Sequence, residues 1–388
     1  MNIDFSYVNP TRIHFGRTAM QHLDDELRRY GRNVLLVYGR NSIKQNGIYD
    51  TVIASLKATG KEVFELSGIK SNPSYSQVFA GARLVEDNHI DLILAVGGGS
   101  VIDCSKGIAA AAHCKGDAWQ RYWMQGEEVE HPVVPIGTIL TMTGTASEMN
   151  AGSVITNEEA KIKQGRTFPL ETFSPRFSIL NPEFTYSVPR YQMVSGIFDI
   201  FSHLMEQYFG GDDDCVSDYL LEGDMLALIS AARAAVANPH DYEARSNIMW
   251  CATMALNKIL AVSKTQDWMV HQIEHQLGAY TDCAHGVGLA IVSVPYYRHI
   301  YRYGLPRFVR YAKNVWHVDP AGKSDEQVAQ EGIECLNHFI AELGIPQSLR
   351  EVGATEEMLP LIAQSCNKMG GYHVPSTDEV LQILRECF

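Results

Sequence analysis

The fold is decided by the stretch DLILAVGGGSVIDCSKGIAAAAH, residues 91–113. Residues 91–96 form a short apolar run that predicts a buried strand, and the alanine-rich residues 100–113 predict a helix. Three glycines at 97–99 separate the two. A strand that passes through a glycine-rich turn into a helix is the unit from which parallel α/β sheets are built.

The same alternation continues on both sides of this stretch. Apolar runs predict further strands at residues 33–38, 62–66 and 133–140, and amphipathic patterns predict helices at 43–59 and 75–87. Strands that alternate with helices predict a parallel sheet covered by helices on both faces. The first half of the chain is therefore expected to be an α/β domain.

The pattern changes near Asn181-Pro182 and Pro189, after which strand signals become rare. Long helical patterns follow at residues 191–209, 218–237, 242–258, 266–280 and 324–343. The sequence thus predicts two domains, an α/β domain over residues 1–185 and an all-α domain over residues 186–388. The segment GGDDD at residues 210–214 is interpreted as a solvated loop between helices.

Composition narrows the class of protein. A net charge of −13 disfavours nucleic-acid and anionic-membrane partners, which would repel an acidic chain. The eight cysteines contain no C-x-x-C pair, which is typical of reduced thiols in the cytoplasm. The first residues do not have the pattern of a signal peptide, and no apolar run reaches the ~18 residues of a membrane span. A cytoplasmic globular enzyme is expected.

The glycine turn is a candidate phosphate site. Glycines allow close backbone approach, and free amides at a helix start attract anions. Asp103 is expected to cap these amides, and Lys106 to lie over the same helix end. The pattern is neither G-x-G-x-x-G nor a Walker loop, and a simple tight turn is an equal alternative. The candidate cofactor residues here are Gly97, Gly98, Gly99, Ser100 and Asp103.

A second polar segment, TMTGTASE, follows the next predicted strand at residues 141–148. Its hydroxyl groups, those of Thr141 and Thr145 in particular, are suited to phosphate or ribose contacts. Local capping of the following segment is the alternative interpretation.

The loop that follows the predicted strand at residues 33–38 helps to decide between NAD(H) and NADP(H) as the cofactor. An NAD site usually places a carboxylate near the adenosine ribose, but no acidic residue occurs here before Asp50. Guanidinium and hydroxyl groups instead match the oxygens of a 2′-phosphate. The loop therefore predicts NADP(H), with NAD(H) as the alternative, bound by Gly39, Arg40, Asn41 and Ser42.

Two histidine-containing helices suggest a metal site. Asp199 and His203 are four residues apart on one predicted helix, and His271 and His275 repeat this spacing on another. His285 is expected in the loop that follows the second helix. Three imidazoles and one carboxylate suit Fe(II) or Zn(II), whereas Mg²⁺ and Ca²⁺ prefer all-oxygen sites. With 14 histidines in the chain, such a spacing also arises by chance.

Other residues near these positions are less specific. Glu206, one turn beyond His203, could orient an imidazole or lie on a solvated helix face. The remaining ten histidines, which include His299 and His373, are interpreted as surface or structural residues.

Taken together, these motifs resemble the iron-containing (group III) alcohol dehydrogenases, and in particular their NADPH-dependent aldehyde reductase and butanol dehydrogenase branch. The resemblance extends over nearly the whole chain. It rests on GGGSVID-x-x-K at 97–106, the segment ending at Glu148, NP…P…G-x-x-D-x-x-x-H-x-x-E across 181–206, H-x-x-x-H at 271–275, and His285-Gly286.

The resemblance implies a Rossmann-like N-terminal domain and a helical C-terminal domain, which is the dehydroquinate synthase-like fold, with cofactor and metal in the cleft between them. It implies that Asp199, His203, His271 and His285 bind the metal. It places His275 beside the nicotinamide and the substrate, where an imidazole is the best side-chain candidate to transfer the proton.

The activity implied is hydride transfer between NADP(H) and a primary alcohol or aldehyde at an Fe²⁺ or Zn²⁺ centre. The alternatives are a polyol dehydrogenase, a cyclising lyase of the same superfamily, and a non-catalytic nucleotide-binding protein. A homodimer is also expected, in which a β-forming N-terminal segment could pair across subunits.

Overall fold

The computed structural model describes residues 3–388, which form two compact units. One unit is residues 8–188, and the other is residues 189–388 together with the segment that ends at Tyr7.

The first unit is an α/β structure, as predicted. Its strands are β1 (Arg12–Phe15), β2 (Asn33–Tyr38), β3 (Glu62–Leu66), β4 (Leu92–Gly97), β5 (Ile136–Leu140), β6 (Gly152–Asn157), β7 (Ile162–Thr167) and β8 (Phe177–Leu180). Its α-helices are α1 (Leu23–Leu27), α2 (Ser42–Gln45), α3 (Ile48–Ala58), α4 (Tyr75–Asp87), α5 (Gly99–Ala111) and α6 (Leu170–Phe173). Shorter helical turns occur at Ala19–His22, Trp119–Met124, Ser147–Met149 and Pro182–Thr185.

Six strands form one parallel sheet in the order β1-β8-β5-β4-β2-β3, and β6 and β7 form a separate antiparallel hairpin. Every residue of β4 and β5 is buried, because the centre of a parallel sheet is covered on both faces. Tyr38 of β2 is paired with Val96, and Gly97 of β4 is paired with Leu140 of β5. The loops that follow β2, β4 and β5 therefore leave the sheet at the same edge.

Two details of this unit differ from the sequence prediction. The single helix expected at 43–59 is two helices, because Gly47 adopts a left-handed φ of 79° that interrupts the helix. The strands β1, β6, β7 and β8 were not among those predicted from apolar runs. β1 lies at one edge of the sheet and pairs with β8 of its own chain, so any pairing across subunits would use its other side and stays a prediction.

The second unit contains no strand among its described residues, and its all-helical character is confirmed. Its helices are α7 (Arg190–Tyr208), α8 (Val216–Ala237), α9 (Tyr242–Leu256), α10 (Met269–Thr281), α11 (His285–Ile300), α12 (Leu305–Asn314), α13 (Asp325–Leu343), α14 (Met358–Ser365) and α15 (Thr377–Glu386), with a 3₁₀ turn at Arg350–Val352.

α11 was not predicted from the sequence, and its burial explains why. Nearly every residue between Gly286 and Tyr297 is buried, so the helix has no polar face, and it contains Pro295. An amphipathic pattern appears only where one face meets water. Within residues 3–388, neither α11 nor any other helix is both long and apolar enough to cross a bilayer.

The GGDDD segment after α7 is not a solvated loop throughout. Gly210 is buried, and a Cβ added to it would lie 1.9 Å from the carbonyl oxygen of Thr265. Asp213 pairs with the buried Lys264 at 2.7 Å and accepts the amide of Thr265 at 2.8 Å. Only Asp212 and Asp214 are exposed, because the segment packs against the chain that leads into α10.

Candidate metal centre and cofactor loops

α7 supplies two of the four candidate metal ligands. Asp199 and His203 lie one turn apart on this buried helix, and both side chains are buried. The Nε2 atom of His203 lies 3.3 Å from Oδ1 of Asp199. The four-residue spacing in the sequence therefore corresponds to two side chains that point to the same place.

α10 and α11 supply the other two. The Nε2 atoms of His271 and His285 lie 3.7 and 3.6 Å from the same Oδ1 atom of Asp199. The structure thus brings all four predicted residues together around one carboxylate oxygen. His285 is the first residue of α11, however, so the prediction that it lies in a loop is wrong.

Gly286 explains how His285 reaches this position. A Cβ added to Gly286 would lie 1.8 Å from the carbonyl oxygen of Ser195 in α7, and its amide donates to the Ser195 hydroxyl at 3.1 Å. The first turn of α11 therefore packs directly on the backbone of α7. Only glycine allows this approach, which carries His285 to Asp199.

The donor atoms of this cluster fit a bound cation. Oδ1 of Asp199, Nε2 of His271 and Nδ1 of His203 are buried and have no hydrogen-bond partner within residues 3–388. An unsatisfied buried polar atom costs about 1–3 kcal/mol, so several of them in one cluster require an explanation. A divalent ion beside Asp199 would satisfy its Oδ1 and Nε2 of His271, and three imidazoles with one carboxylate are the chemistry of Fe(II) and Zn(II) sites. Such an ion would not satisfy Nδ1 of His203, because Nε2 is the nitrogen of that ring that faces Asp199.

Two buried glutamates fix the orientation of two histidines. Nδ1 of His271 is hydrogen-bonded to Oε2 of Glu206, whose Oε1 also accepts the backbone amide of His271 at 3.2 Å. Nδ1 of His285 is hydrogen-bonded to Oε2 of Glu274. A carboxylate that accepts from Nδ1–H leaves the lone pair on Nε2, which is the arrangement found behind metal-binding histidines.

These glutamates were only partly anticipated. Two interpretations of Glu206 were open from the sequence. The structure supports the first, that it orients an imidazole, and the second, a position on a solvated helix face, is wrong because Glu206 is fully buried. Glu274 was missed, although it lies three residues after His271 on the same helix. No pattern in the sequence marks Glu274, because its burial and its contact with His285 arise only when α10 and α11 pack together.

The pKa values in the cluster follow from the same charges. Burial is the largest effect on His203 and lowers its pKa to about 3, against the opposite effect of Asp199. Burial alone would also lower the pKa of His271, but Glu206 and then Asp199 raise it to about 10. Burial would raise the pKa of Asp199, yet the surrounding histidines keep it below its ordinary value. Asp199 is therefore a carboxylate and His203 an uncharged imidazole, which are the forms of these side chains that bind metal ions.

His275 lies next to the four clustered residues and not among them. Its ring centroid lies 5.8 Å from that of His285 and 6.2 Å from that of His271, and the residue is buried. A ligand atom of His275 also lies within 4.8 Å of ligand atoms of Glu274 and His285, so its separation from the metal ligands stays a prediction.

Trp268 forms another wall of the cluster. Its ring lies 5.3 Å from that of His271 and 6.1 Å from that of His203. The ammonium of Lys258 lies 5.7 Å from the Trp268 ring. Both Trp268 and Lys258 have a left-handed backbone, with φ of 68° and 78°, which side-chain-bearing residues rarely adopt. Such strain is concentrated at functional sites.

The cofactor loops are built by close contacts in the first unit. A Cβ added to Gly99 would lie 2.2 Å from Oγ1 of Thr145, and one added to Gly98 would lie 3.0 Å from Cβ of Met142. The amide of Thr141 donates to the carbonyl of Gly97 at 3.0 Å. The glycine turn and the segment after β5 therefore touch, and the glycines are required by this approach.

Lys106 does not lie over the helix end as predicted, and Asp103 contacts residues that follow it in the chain. Asp103 accepts the Ser147 hydroxyl at 2.5 Å and the Val154 amide at 2.9 Å. Lys106 is fully buried and donates to Ser147 at 2.8 Å and to Asn150 at 3.0 Å. Burial lowers the pKa of Lys106 to about 8. Both side chains turn sideways to hold residues 147–154, because α5 packs against β6.

The remaining candidate cofactor residues lie at the starts of α5 and α2. The Ser100 hydroxyl donates to the carbonyl of Ser71. Asn41 precedes α2 and Ser42 begins it, and both are exposed. Arg40 is also exposed, and within residues 3–388 its guanidinium has no hydrogen bond or ion pair.

Comparison with protein families agrees with this arrangement. The model of the iron-containing alcohol dehydrogenases matches residues 10–182. The model of the C-terminal part of the Fe-containing alcohol dehydrogenase family matches residues 193–388. The two matches together cover nearly the whole chain.

Individual relatives agree as well. NADH-dependent butanol dehydrogenase A of Clostridium acetobutylicum is 38% identical, and the alignment covers 100% of both chains. NADPH-dependent aldehyde reductase YqhD of Escherichia coli is 34% identical over 95% of this chain and 94% of its own. The crystal structure of NADH-dependent butanol dehydrogenase A from Thermotoga maritima superposes with a TM-score of 0.94 at 35% identity, covering 99% of this chain and 98% of that one.

The family models are named for iron-containing alcohol dehydrogenases, and these relatives are named for NADH- or NADPH-dependent alcohol or aldehyde chemistry. This agreement excludes the non-catalytic interpretation and confirms both the resemblance and the expected fold of an α/β and an all-α domain. The chain is an enzyme and belongs to the iron-containing alcohol dehydrogenase family.

Proposed function

We propose that the chain catalyses reversible hydride transfer between NADP(H) and a primary alcohol or aldehyde, with a divalent metal held by Asp199, His203, His271 and His285. The observation that carries the proposal is the convergence of three histidine Nε2 atoms on Oδ1 of Asp199, at 3.3–3.7 Å. The buried, unpaired donor atoms in this cluster support a cation at that point.

The chain's own residues prepare this chemistry. When bound, the metal supplies Lewis acidity to a carbonyl oxygen and the nicotinamide supplies the hydride. Glu206 and Glu274 hold His271 and His285 in the orientation that directs Nε2 toward Asp199. Burial of Asp199, His203 and His271 excludes water from this side of the site and strengthens their electrostatic effect on the reacting oxygen.

His275 is proposed to take up and release the proton at one of its ring nitrogens. Its buried ring lies 5.8 Å from that of His285, near the reacting centre. Imidazole titrates near neutral pH, which suits general acid–base work. His275→Asn should lower kcat at neutral pH and remove one limb of the pH–rate profile while the metal content stays normal. An unchanged profile would assign the proton transfer to ribose hydroxyls and water.

The preference for NADP(H) is supported by Arg40, which is exposed and unpaired within residues 3–388 at the end of β2. The relatives differ here, since the butanol dehydrogenases are named NADH-dependent and the aldehyde reductase NADPH-dependent. Arg40→Ala should raise KM for NADPH about tenfold and leave KM for NADH unchanged, since an arginine–phosphate pair is worth about 1–2 kcal/mol. A higher kcat/KM with NADH in the parent enzyme would overturn the preference.

The metal is proposed to be Fe²⁺ or Zn²⁺, because both accept three imidazoles and one carboxylate. His271→Ala and His285→Ala should each lose the bound metal and nearly all turnover. His89→Asn removes an exposed histidine of the first unit and serves as the control. Full turnover by either alanine variant without metal would refute the proposal.

We also propose that the two domains divide the binding of the cofactor and of the metal between them. Residues 1–185 would bind the nucleotide and residues 186–388 the metal, close to the division into compact units at residue 188. A cytoplasmic homodimer acting on small aldehydes and alcohols completes the proposal. Light scattering of the purified protein tests the dimer.

A further inference from the structure

A second group of metal-binding side chains lies away from Asp199. It consists of His299 in the last turn of α11, His373 in the loop before α15, and Glu379 in the first turn of α15. Their ligand atoms all lie within 4.8 Å of one another. From the sequence, both histidines were interpreted as surface or structural residues. They are 74 positions apart in the chain, and only the fold brings them together.

The two imidazoles meet at one carboxylate oxygen. Nε2 of His373 lies 2.8 Å and Nε2 of His299 lies 3.1 Å from Oε1 of Glu379. In a tetrahedral zinc site, with bonds of about 2.0–2.1 Å, neighbouring ligand atoms are roughly 3.4 Å apart. A small outward movement of the side chains would therefore convert these two hydrogen bonds into two edges of a coordination tetrahedron.

Two of the three groups, Glu379 and His373, are already held in place. Oε2 of Glu379 accepts the backbone amide of Ser376 at 2.7 Å, within a capping box at the start of α15, which leaves Oε1 directed at the histidines. The ring of Tyr303 stacks on that of His373, with centroids 4.3 Å apart and planes 2° from parallel. Preorganised ligands lose less conformational entropy when an ion binds.

The cluster is also open to solvent. The side chains of His299, His373 and Glu379 are 19%, 23% and 29% exposed, so an ion and coordinating water can reach them. In the group around Asp199, only His285 has a comparably exposed side chain, at 26%, and the other three are at most 8% exposed. A two-histidine, one-carboxylate set with room for water suits Zn²⁺ and related late transition metals, and is poorly suited to Mg²⁺ or Ca²⁺.

We propose that His299, His373 and Glu379 form a second divalent-metal site, selective for Zn²⁺ and related late transition metals, that joins the end of α11 to the loop before α15 and to α15. His299 is 74 positions from His373, whereas His373 and Glu379 are six positions apart, so a bound ion would cross-link the end of α11 to the segment that leads into α15. Such an ion stabilises the folded state without taking part in hydride transfer. α11 begins at His285, so the same helix carries a ligand of each centre, one at its first turn and one at its last.

The test measures Zn²⁺ binding directly. Protein that has one metal equivalent per chain is dialysed against buffered Zn²⁺, and bound metal is counted by mass spectrometry. The parent chain should take up a second equivalent, and its unfolding midpoint should rise by about 2 °C or more. Glu379→Gln should weaken this second binding at least tenfold. It keeps the capping box, which accepts either residue, so the fold is preserved.

Two further variants separate this site from the catalytic one. His271→Ala should still bind Zn²⁺ at the second site, and adding His373→Ala to it should remove that binding. His89→Asn, which removes an exposed histidine of the other unit, should bind as the parent does. The inference is overturned if the parent takes up no second equivalent, or if Glu379→Gln and His373→Ala bind Zn²⁺ as tightly as the parent. In that case the cluster is a hydrogen-bonded surface group only.

Discussion

Replacing Glu206 by glutamine tests whether the carboxylate behind His271 controls metal binding. Glu206 is fully buried and accepts two hydrogen bonds from His271, one from the backbone amide at 3.2 Å and one from Nδ1 of the ring. The two bonds go to different oxygens of the carboxylate. Glutamine has nearly the same shape but only one oxygen, so it can accept only one of them in this position.

The expected magnitude follows from this count. One buried N–H of His271 would face the glutamine NH₂ group and lose its partner, at about 1–3 kcal/mol. If the ring bond is lost, Nε2 is no longer fixed as the lone-pair nitrogen. Since about 1.4 kcal/mol corresponds to a factor of ten, we expect the metal dissociation constant to rise about 10- to 100-fold.

The assay is competition for Zn²⁺ or Fe²⁺ with a chromophoric chelator at fixed pH. The matched control is Glu26→Gln in the other unit, since Glu26 is also a buried carboxylate and contacts a histidine, His14, at 3.0 Å. The control should lower the unfolding midpoint and leave metal affinity unchanged. A dissociation constant for Glu206→Gln within twofold of the parent value would refute the role assigned to Glu206.

Three other substitutions test separate parts of the structure. Gly99→Ala should raise KM for the nicotinamide cofactor at least tenfold at normal metal content, because the new methyl group collides with Thr145. An unchanged KM would count against a cofactor role for the glycine turn at residues 97–99. Burial raises the pKa of Asp224 to about 7, and a hydrogen bond from Cys251 partly offsets this effect. Between about pH 4 and 7 the folded state therefore binds more protons than the unfolded state, so the free energy of unfolding falls as the pH rises. Asp224→Asn should therefore raise the unfolding midpoint at pH 8 and leave it nearly unchanged at pH 4; equal shifts at both pH values would contradict the assignment. Lys258→Met should tighten metal binding about threefold, because it removes a positive charge that, like burial, disfavours positive charge at His203. Weaker binding would show that Lys258 supports the site through packing.

The sequence predicted the sheet well where local patterns decide the structure. The predicted bounds of β2, β3 and α4 agree with those observed, because apolar runs and one-sided amphipathic stripes are local signals. α11 was missed because a helix buried on all faces has no stripe. β8 was missed because its burial depends on pairing with β1 and β5, which are distant in the sequence.

In the candidate site, too, local spacing could be predicted from the sequence, whereas contacts between distant segments could not. Spacing on a helix was enough to group Asp199 with His203, because the helix itself determines that neighbourhood. The direction in which Lys106 points could not be read from spacing, since it depends on residues 147–152 packing beside α5. Glu274 was missed for a related reason, because its contact with His285 forms only when α10 and α11 pack together.

The position of Trp268 has a practical consequence. It is one of five tryptophans in the chain, and its ring lies within 6.1 Å of the rings of His203 and His271. An indole this close to the candidate ligands is a built-in optical reporter. Paramagnetic Fe²⁺ at the centre should quench its emission, whereas Zn²⁺, with its filled d shell, should not quench it by that route. The fluorescence of the protein would then distinguish the two loaded forms in solution without a substrate or a chelator.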